Sequence, residues 1–328
     1  SYLSGAMPLS HSRQHSVSKR RLFTFLRIAE NGRMKKEIVM TAISSANPPL
    51  KSCPVTRIVR GTPASDGAGV KLNRVIGTAT LPDIDPFLML DEFRSDQAGD
   101  YIAGFPDHPH RGFETVTYML AGRMRHQDNM GHSGMLVPGS VQWMTAGRGI
   151  VHSEMPEQDD GLMWGFQLWV NLPARDKMCA PRYQEFSPDV IPVVRPNKHT
   201  EVRLIAGGLG GAVGPVQGIA TAPLYWDVTL AADSQFSPQV PESHQAFLYI
   251  FQGDALVGPN NEHRATQGQM VVLGNGNTIN ITAGASGVRL LLVAGKPLQE
   301  PVARYGPFVM NTHEEIQQAF RDYRDGRF

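Results

Sequence analysis

His108 and His110 are separated by one residue, and so are His152 and Glu154. Imidazole nitrogens and carboxylate oxygens are common ligands of divalent transition metals. On a β-strand, residues i and i+2 project from the same face. Two such pairs on facing strands could therefore bring three imidazoles and one carboxylate around a single ion. Mixed ligation of this kind suits Fe, Mn, Ni, Cu or Zn, and ligand type alone does not choose among them. Four protein ligands on an octahedral ion leave two positions for water, substrate or dioxygen, whereas a closed tetrahedral structural zinc site leaves none. A chain of 328 residues has enough apolar sequence to build its core without a metal, which points to a functional ion.

The elements that must carry these pairs are β-strands. Pro109, between the histidines, argues for a strand end or bulge, where its missing N–H costs little. Thr115-Val116-Thr117-Tyr118-Met119-Leu120 is rich in β-formers and stops at Ala121-Gly122, and Pro138-Gly139-Ser140 marks the turn before the return. Unbroken alternation from His110 puts Glu114, Val116, Tyr118 and Leu120 on the histidines' face, unless Gly112 bulges and resets it. Gly147-Arg148-Gly149 is not followed by a helical pattern or a lysine-hydroxyl pair, so it is read as a backbone bend delivering His152 inward rather than as a phosphate loop. Met119, Met124, Met130, Met135, Met144, Met155 and Met163, with Trp143, Trp164 and Trp169, are read as core packing. A soft aromatic pocket among them would also suit a flat organic molecule.

These stretches carry a family resemblance. Gly104-x-x-x-His108-x-His110-x-x-x-Glu114 followed by Gly122, then Pro138-Gly139 through His152-x-Glu154, resembles the two cupin signatures in their pirin form. The match continues through Gln142-Trp143-Met144-Thr145-Ala146-Gly147-Arg148-Gly149, Gln167-Leu168-Trp169-Val170-Asn171-Leu172 and Tyr183-Gln184-Glu185, and covers about residues 50–300. The resemblance implies an all-β protein of two tandem double-stranded β-helix (cupin) barrels. It implies one divalent metal in the N-terminal barrel, Fe(II) before Zn, Mn, Ni or Cu, held by His108, His110, His152 and Glu154. It also implies activity of the quercetin 2,3-dioxygenase type, in which dioxygen opens the ring of a flavonol with loss of carbon monoxide. Glu154, the carboxylate nearest the substrate hydroxyl, is the candidate catalytic base. Many cupins use the glutamate at the place of Glu114 as a ligand. In pirins the carboxylate ligand resembles Glu154 instead, which implies that Glu114 is a supporting acid, paired with Arg111 or Arg148. The alternative to an enzyme is a regulatory protein whose metal redox state is read by a protein partner.

The rest of the chain fits this frame. With 31 Lys and Arg against 30 Asp and Glu, the sequence offers no electrostatic case for nucleic acid or an anionic membrane surface. No stretch reaches the roughly 20 apolar residues needed to cross a bilayer. Cys53 and Cys179 are too few for a disulfide framework and read as free thiols, which favours a reducing, cytoplasmic setting. The 33 glycines and 24 prolines, with frequent turn dipeptides, favour strands over helices. Residues 1–49 are basic and serine-rich, and are expected to be a poorly ordered extension upstream of a start near Met34 or Met40.

Residues 50–175 are then the metal-binding cupin domain, 176–196 a linker strap, 197–300 a second cupin domain and 301–328 a tail with a short helix. Thr56–Arg60 and Leu72–Gly77 read as one hairpin, while Asp91 and Glu92 read as structural acids. His126 and His132 are expected to bond backbone or solvent. His244-Gln245-Ala246-Phe247 through Gly253 and Gly268–Leu273 repeat the first barrel's pattern without its ligands, so the second barrel is expected to lack a metal. Thr312 and Glu315 have capping-box spacing, and Ile316, Ala319, Phe320 and Tyr323 share one face of the helix they open.

Overall fold

Leu248 and Ile250 leave their strand on one side, Phe247, Tyr249 and Phe251 on the other, and all five are fully buried. Leu290 and Leu292 alternate with Leu291 and Val293 in the same way. Strands apolar on both faces must be covered on both, and here one face lines a barrel while the other meets a second barrel. The computed structural model describes residues 49–328 and, as backbone, the strands Thr24–Glu30 and Arg33–Val39.

In the first barrel a four-stranded sheet faces a seven-stranded one. The four run in the order Ser133–Leu136, Met124–Asp128, Ile150–Pro156 and Phe105–His110. The seven run Arg182–Phe186, Val141–Thr145, Phe113–Ala121, Met163–Asn171, Phe87–Ser95, Val70–Ile76 and Thr62–Asp66. Leu72, Phe93, Met119, Met124, Leu136 and Met163 fill part of the space between them. The second barrel is built on one large antiparallel sheet that includes Thr200–Ala206, Leu224–Leu230, Ile281–Gly295, Gln245–Val257 and Gln269–Leu273. Its interior holds Val202, Leu204, Trp226, Val228, Leu248, Ile250, Leu290 and Leu292. These are the two double-stranded β-helices expected, followed by the short helix His313–Arg324.

The barrels meet through aromatic rings whose polar tips are satisfied. Phe87 meets Phe247 edge-on at 5.2 Å, and Phe166 lies 5.1 Å from Phe251. Tyr118 donates to Asp227 at 2.7 Å, and Arg289 holds the same carboxylate. Tyr249 of the second barrel donates to Glu92 of the first, which also accepts from Trp164 at 2.8 Å. Asp91 is held by Arg74 through two hydrogen bonds of 2.9 and 2.7 Å. Both acids therefore have the structural partners expected of them.

Three connections differ from the local reading. Thr62–Asp66, not Thr56–Arg60, is the hairpin partner of Val70–Ile76. Val55–Arg60 crosses instead to the second barrel and pairs with Gln269–Leu273, a partner more than 200 residues away that no local pattern could signal. The segment read as a linker strap contributes strands: Arg182–Phe186 pairs with Val141–Thr145 in the first barrel, and Val193–Asn197 begins the second. Alternation also breaks after His110. The ligand strand and Phe113–Ala121 belong to different sheets, so Val116 and Tyr118 enter the core between the barrels while Thr117 faces the first barrel's interior. Within residues 1–49, expected to be poorly ordered, Thr24–Glu30 and Arg33–Val39 pair as an antiparallel hairpin. Residues 1–23, 31–32 and 40–48, Met40 among them, lie outside the described residues.

The C-terminal segment returns to the first barrel. Thr312 Oγ1 accepts from the Glu315 amide at 3.2 Å and Glu315 Oε2 accepts from the Thr312 amide at 3.0 Å, completing the predicted capping box. Ile316 and Ala319 pack on Ala303, Phe308 and Met310, with Phe320 beside them and Tyr323 at the exposed margin. Buried Arg111 donates to Asp322 of this helix at 2.7 Å. Lys177, fully buried, donates to the carbonyls of Gly112 and Val309 at 2.8 and 3.0 Å and to Asn171 at 2.7 Å. Gly112 sits at φ 86°, and a Cβ there would lie 1.9 Å from the Val309 carbonyl oxygen. Gly112→Ala should therefore destabilise the fold by at least about 2 kcal/mol, through both strain and collision. Urea unfolding of the variant beside the parent protein would measure this loss.

Candidate metal centre

Ile150–Pro156 pairs antiparallel with Phe105–His110, placing His152 opposite His108 and Ile150 opposite His110. Phe105–His110 is the edge strand of its sheet, which accommodates Pro109. The ring nitrogens of His108, His110 and His152 offer one ligand atom each, all within 4.8 Å of one another. Gly147 and Gly149, both at positive φ, turn the backbone just before this strand, as expected of that loop.

Each imidazole is oriented from behind. His108 Nδ1 lies 2.8 Å from the Pro106 carbonyl, and His110 Nδ1 lies 3.4 Å from the Pro307 carbonyl. A carbonyl only accepts, so both rings carry their proton on Nδ1 and present an Nε2 lone pair. His152 Nε2 is buried without any hydrogen-bond partner among the described residues. An orphaned buried nitrogen beside two presented lone pairs is what a metal ligand looks like without its ion, so the residues fit a metal. Burial pushes the pKa values of His110 and His152 well below the ordinary imidazole value, favouring the neutral form that binds metals.

Glu154 stands outside this tight group but lines the same cavity. Its carboxylate accepts from Thr117 Oγ1 at 2.7 Å and from Gln167 Nε2 at 2.9 Å. Burial raises its pKa, and those two hydrogen bonds oppose the rise. The cavity, about 710 Å³, is lined by His108, His110 and Glu154 and by the apolar side chains of Met89, Phe93, Phe105 and Trp169. Trp169 joins the two, since its ring lies 5.3 Å from His110 and its face carries the Arg304 guanidinium at 4.8 Å. The methionines singled out from the sequence do not line this cavity, and Met130 is exposed; the one methionine on the wall is Met89.

Two expectations are corrected. Glu114 pairs with neither Arg111 nor Arg148, because Arg111 is engaged by Asp322 and the Arg148 carbonyl. It accepts instead from Thr145 Oγ1 at 2.7 Å, and its other oxygen has no hydrogen-bond partner. His126 does not bond backbone or solvent either. It is fully buried, and its Nδ1 lies 3.4 Å from Nδ1 of His152. His132 donates to Asp128 at 2.8 Å and stacks on Tyr183. Thr117, Gln167 and His126 all contact the predicted site; in the sequence Thr117 stood only as part of a strand-forming run, Gln167 only within the family resemblance and His126 only as a lone histidine.

A pair of cupin barrels, one with three clustered imidazoles beside a cavity, defines a bicupin with a candidate metal centre. Family models agree in both halves: Pirin matches residues 69–170 and the Pirin C-terminal cupin domain matches residues 225–328. A pirin-like protein of Caulobacter vibrioides is 54% identical over 276 residues, covering 84% of this chain and 99% of that protein. A pirin-like protein of Solanum lycopersicum is 45% identical over 274 residues, covering 83% and 92%. The crystal structure of a quercetin 2,3-dioxygenase from Acinetobacter baumannii superposes with TM-score 0.78 at 31% identity, covering 84% of this chain and 98% of that one. The chain belongs to the pirin family.

Burial lifts the Glu114 carboxyl to about 7, with the Thr145 hydrogen bond opposing the rise. An acid whose folded pKa exceeds its unfolded one binds protons more tightly when folded, so stability falls as pH rises between roughly 4.5 and 7. Glu114→Gln keeps an acceptor for Thr145 and removes this penalty. The variant should be more stable than its parent at pH 8, by up to about 3 kcal/mol, with the difference vanishing near pH 4. Thermal unfolding across that range checks it.

Proposed function

We propose that this chain is a metal-dependent dioxygenase of the quercetin 2,3-dioxygenase type, cleaving the ring of a flavonol at one Fe(II) ion. His108, His110 and His152 would hold the ion through Nε2, with Glu154 as the fourth ligand. The observation that carries this reading is the cluster of three imidazoles, two of which, His108 and His110, line a cavity that Phe93, Phe105 and Trp169 also line. The likeness to the Acinetobacter baumannii quercetin 2,3-dioxygenase supports it. When bound, the ion supplies Lewis acidity and a one-electron redox centre.

The protein's own groups supply the rest. Trp169, Phe93, Phe105 and Met89 offer an apolar face against which a planar ring system loses its water. Arg304, stacked on Trp169, donates to the Leu88 carbonyl at 3.0 Å, and as a lining residue it can meet an anionic oxygen of the substrate. Glu154 takes the proton of the hydroxyl adjacent to the ring carbonyl. Thr117 and Gln167 fix the direction of its carboxylate, and both of their hydrogen bonds favour its ionised form.

Loss of the flavonol absorbance band in air by Fe(II)-loaded protein tests the proposal. His110→Ala should lower the rate by at least about 100-fold, through loss of a ligand whose outer partners alone are worth 10–100-fold in such sites. Glu154→Gln should lower kcat more than it raises KM. Metal-loaded protein that leaves the band unchanged would overturn the enzyme in favour of a regulatory protein whose metal is read by a protein partner.

A further inference from the structure

The outward side of His152 is unusual. His108 and His110 each rest on a backbone carbonyl, but His152 Nδ1 rests on another imidazole, His126 Nδ1, at 3.4 Å. For His152 to present Nε2 to an ion, its proton must sit on Nδ1, so His126 Nδ1 accepts and His126 carries its own proton on Nε2. That Nε2 has no hydrogen-bond partner and lies 4.0 Å from Asp128 Oδ2. The same Asp128 oxygen accepts from His132 Nδ1 at 2.8 Å, and Asp128 Oδ1 accepts from the amides of Met130 and His132, both at 2.9 Å. Tyr183 closes the side, 4.8 Å from His126 and 5.4 Å from His132, the latter nearly parallel. His126 and the Asp128 side chain are fully buried, while His132 reaches solvent.

We infer that His126 is the positioning residue of His152, fixing its tautomer and ring direction, with Asp128 and His132 anchoring His126 to the surface loop 128–132. This rests on His152 being a metal ligand, as proposed above. An acceptor behind a ligating imidazole raises its basicity and holds the ring in place, and its loss typically costs 10–100-fold in metal affinity. The selection among tautomers is specific to His152, because a carbonyl fixes the proton unconditionally, whereas an imidazole acceptor does so only while its own proton sits on Nε2, the nitrogen nearer Asp128.

Co(II) alone is a suitable probe. Chelator competition gives its Kd, its visible bands report ligand geometry, and the Tm of the metal-free protein reports the fold. His126→Phe fills the space without an acceptor and should weaken Co(II) binding 10–100-fold with altered bands. His126→Gln, whose amide oxygen can accept from His152 Nδ1, should recover most of the affinity and the parent bands. A Phe variant that binds Co(II) like the parent overturns the inference. So does a Gln variant with the parent's Tm that binds as poorly as the Phe variant, since an acceptor would then not be what matters. If the Phe variant does not fold, Asp128→Asn stands in: weaker binding supports the chain of contacts, and parent-like binding overturns it. Parent protein that takes up no Co(II) would defeat the metal reading itself, an outcome visible before any variant is compared.

Discussion

The register between Ile150–Pro156 and Phe105–His110 is the constraint on which the site depends. With His152 opposite His108, three rings converge; a slip by one residue would turn His152 and Glu154 to the other face. The ladder shifts between His152 and Glu154, so that Glu154 stands opposite Phe105 rather than Pro106. That irregularity lies between the imidazole cluster and the carboxylate, and it sets Glu154 apart from the three rings, against Thr117 and Gln167 of the facing sheet. Clustering three imidazoles is tolerable because burial favours the neutral form of His110 and His152, and carbonyls or a fourth ring account for the Nδ1 side of each of the three.

The second barrel gives this register a rigid backing. The seven-stranded sheet that supplies Thr117 and Gln167 presents Val116, Tyr118, Phe166 and Leu168 on its other face, and these are buried together with Tyr225, Phe247, Tyr249 and Phe251. A sheet held on both faces has little freedom to move relative to the sheet opposite. The polar contacts across the same boundary, Tyr118 with Asp227 and Tyr249 with Glu92, fix direction as well as distance. In the second barrel the corresponding interior is filled by Trp226, Leu248, Ile250, Leu290 and Leu292, so it serves the chain as a packed support.

What could be read in the sequence was what depends on local spacing. The two i, i+2 pairs of candidate ligands, the strand-forming run after Gly112, the capping box at Thr312 and the apolar face beginning at Ile316 all declare themselves within a few residues. What could not be read depends on partners far away in sequence. Val55–Arg60 leaves its neighbours for Gln269–Leu273, Arg111 finds Asp322 rather than Glu114, and His126 meets His152 across two strands of one sheet. The alternation expected from His110 to Leu120 failed at the corner of Arg111 and Gly112, where the chain passes from one sheet to the other and parity loses its meaning. A lone histidine such as His126 has many possible environments, and composition cannot distinguish the one beside another imidazole.

The return of the C-terminal segment to the first barrel has a temporal consequence. Pro307 supplies the carbonyl behind His110, Val309 closes over Gly112, and Val55–Arg60 waits for Gln269–Leu273 before its edge is paired. A nascent chain emerges from its N-terminal side, so His108, His110 and His152 leave the ribosome long before the residues that finish their surroundings. Until residues 303–310 arrive, His110 lacks its acceptor and the cavity lacks the wall formed by Arg304, Gly306 and Pro307. The centre therefore reaches its final form after translation has passed both barrels, and the order of synthesis separates the making of the ligands from the making of the site.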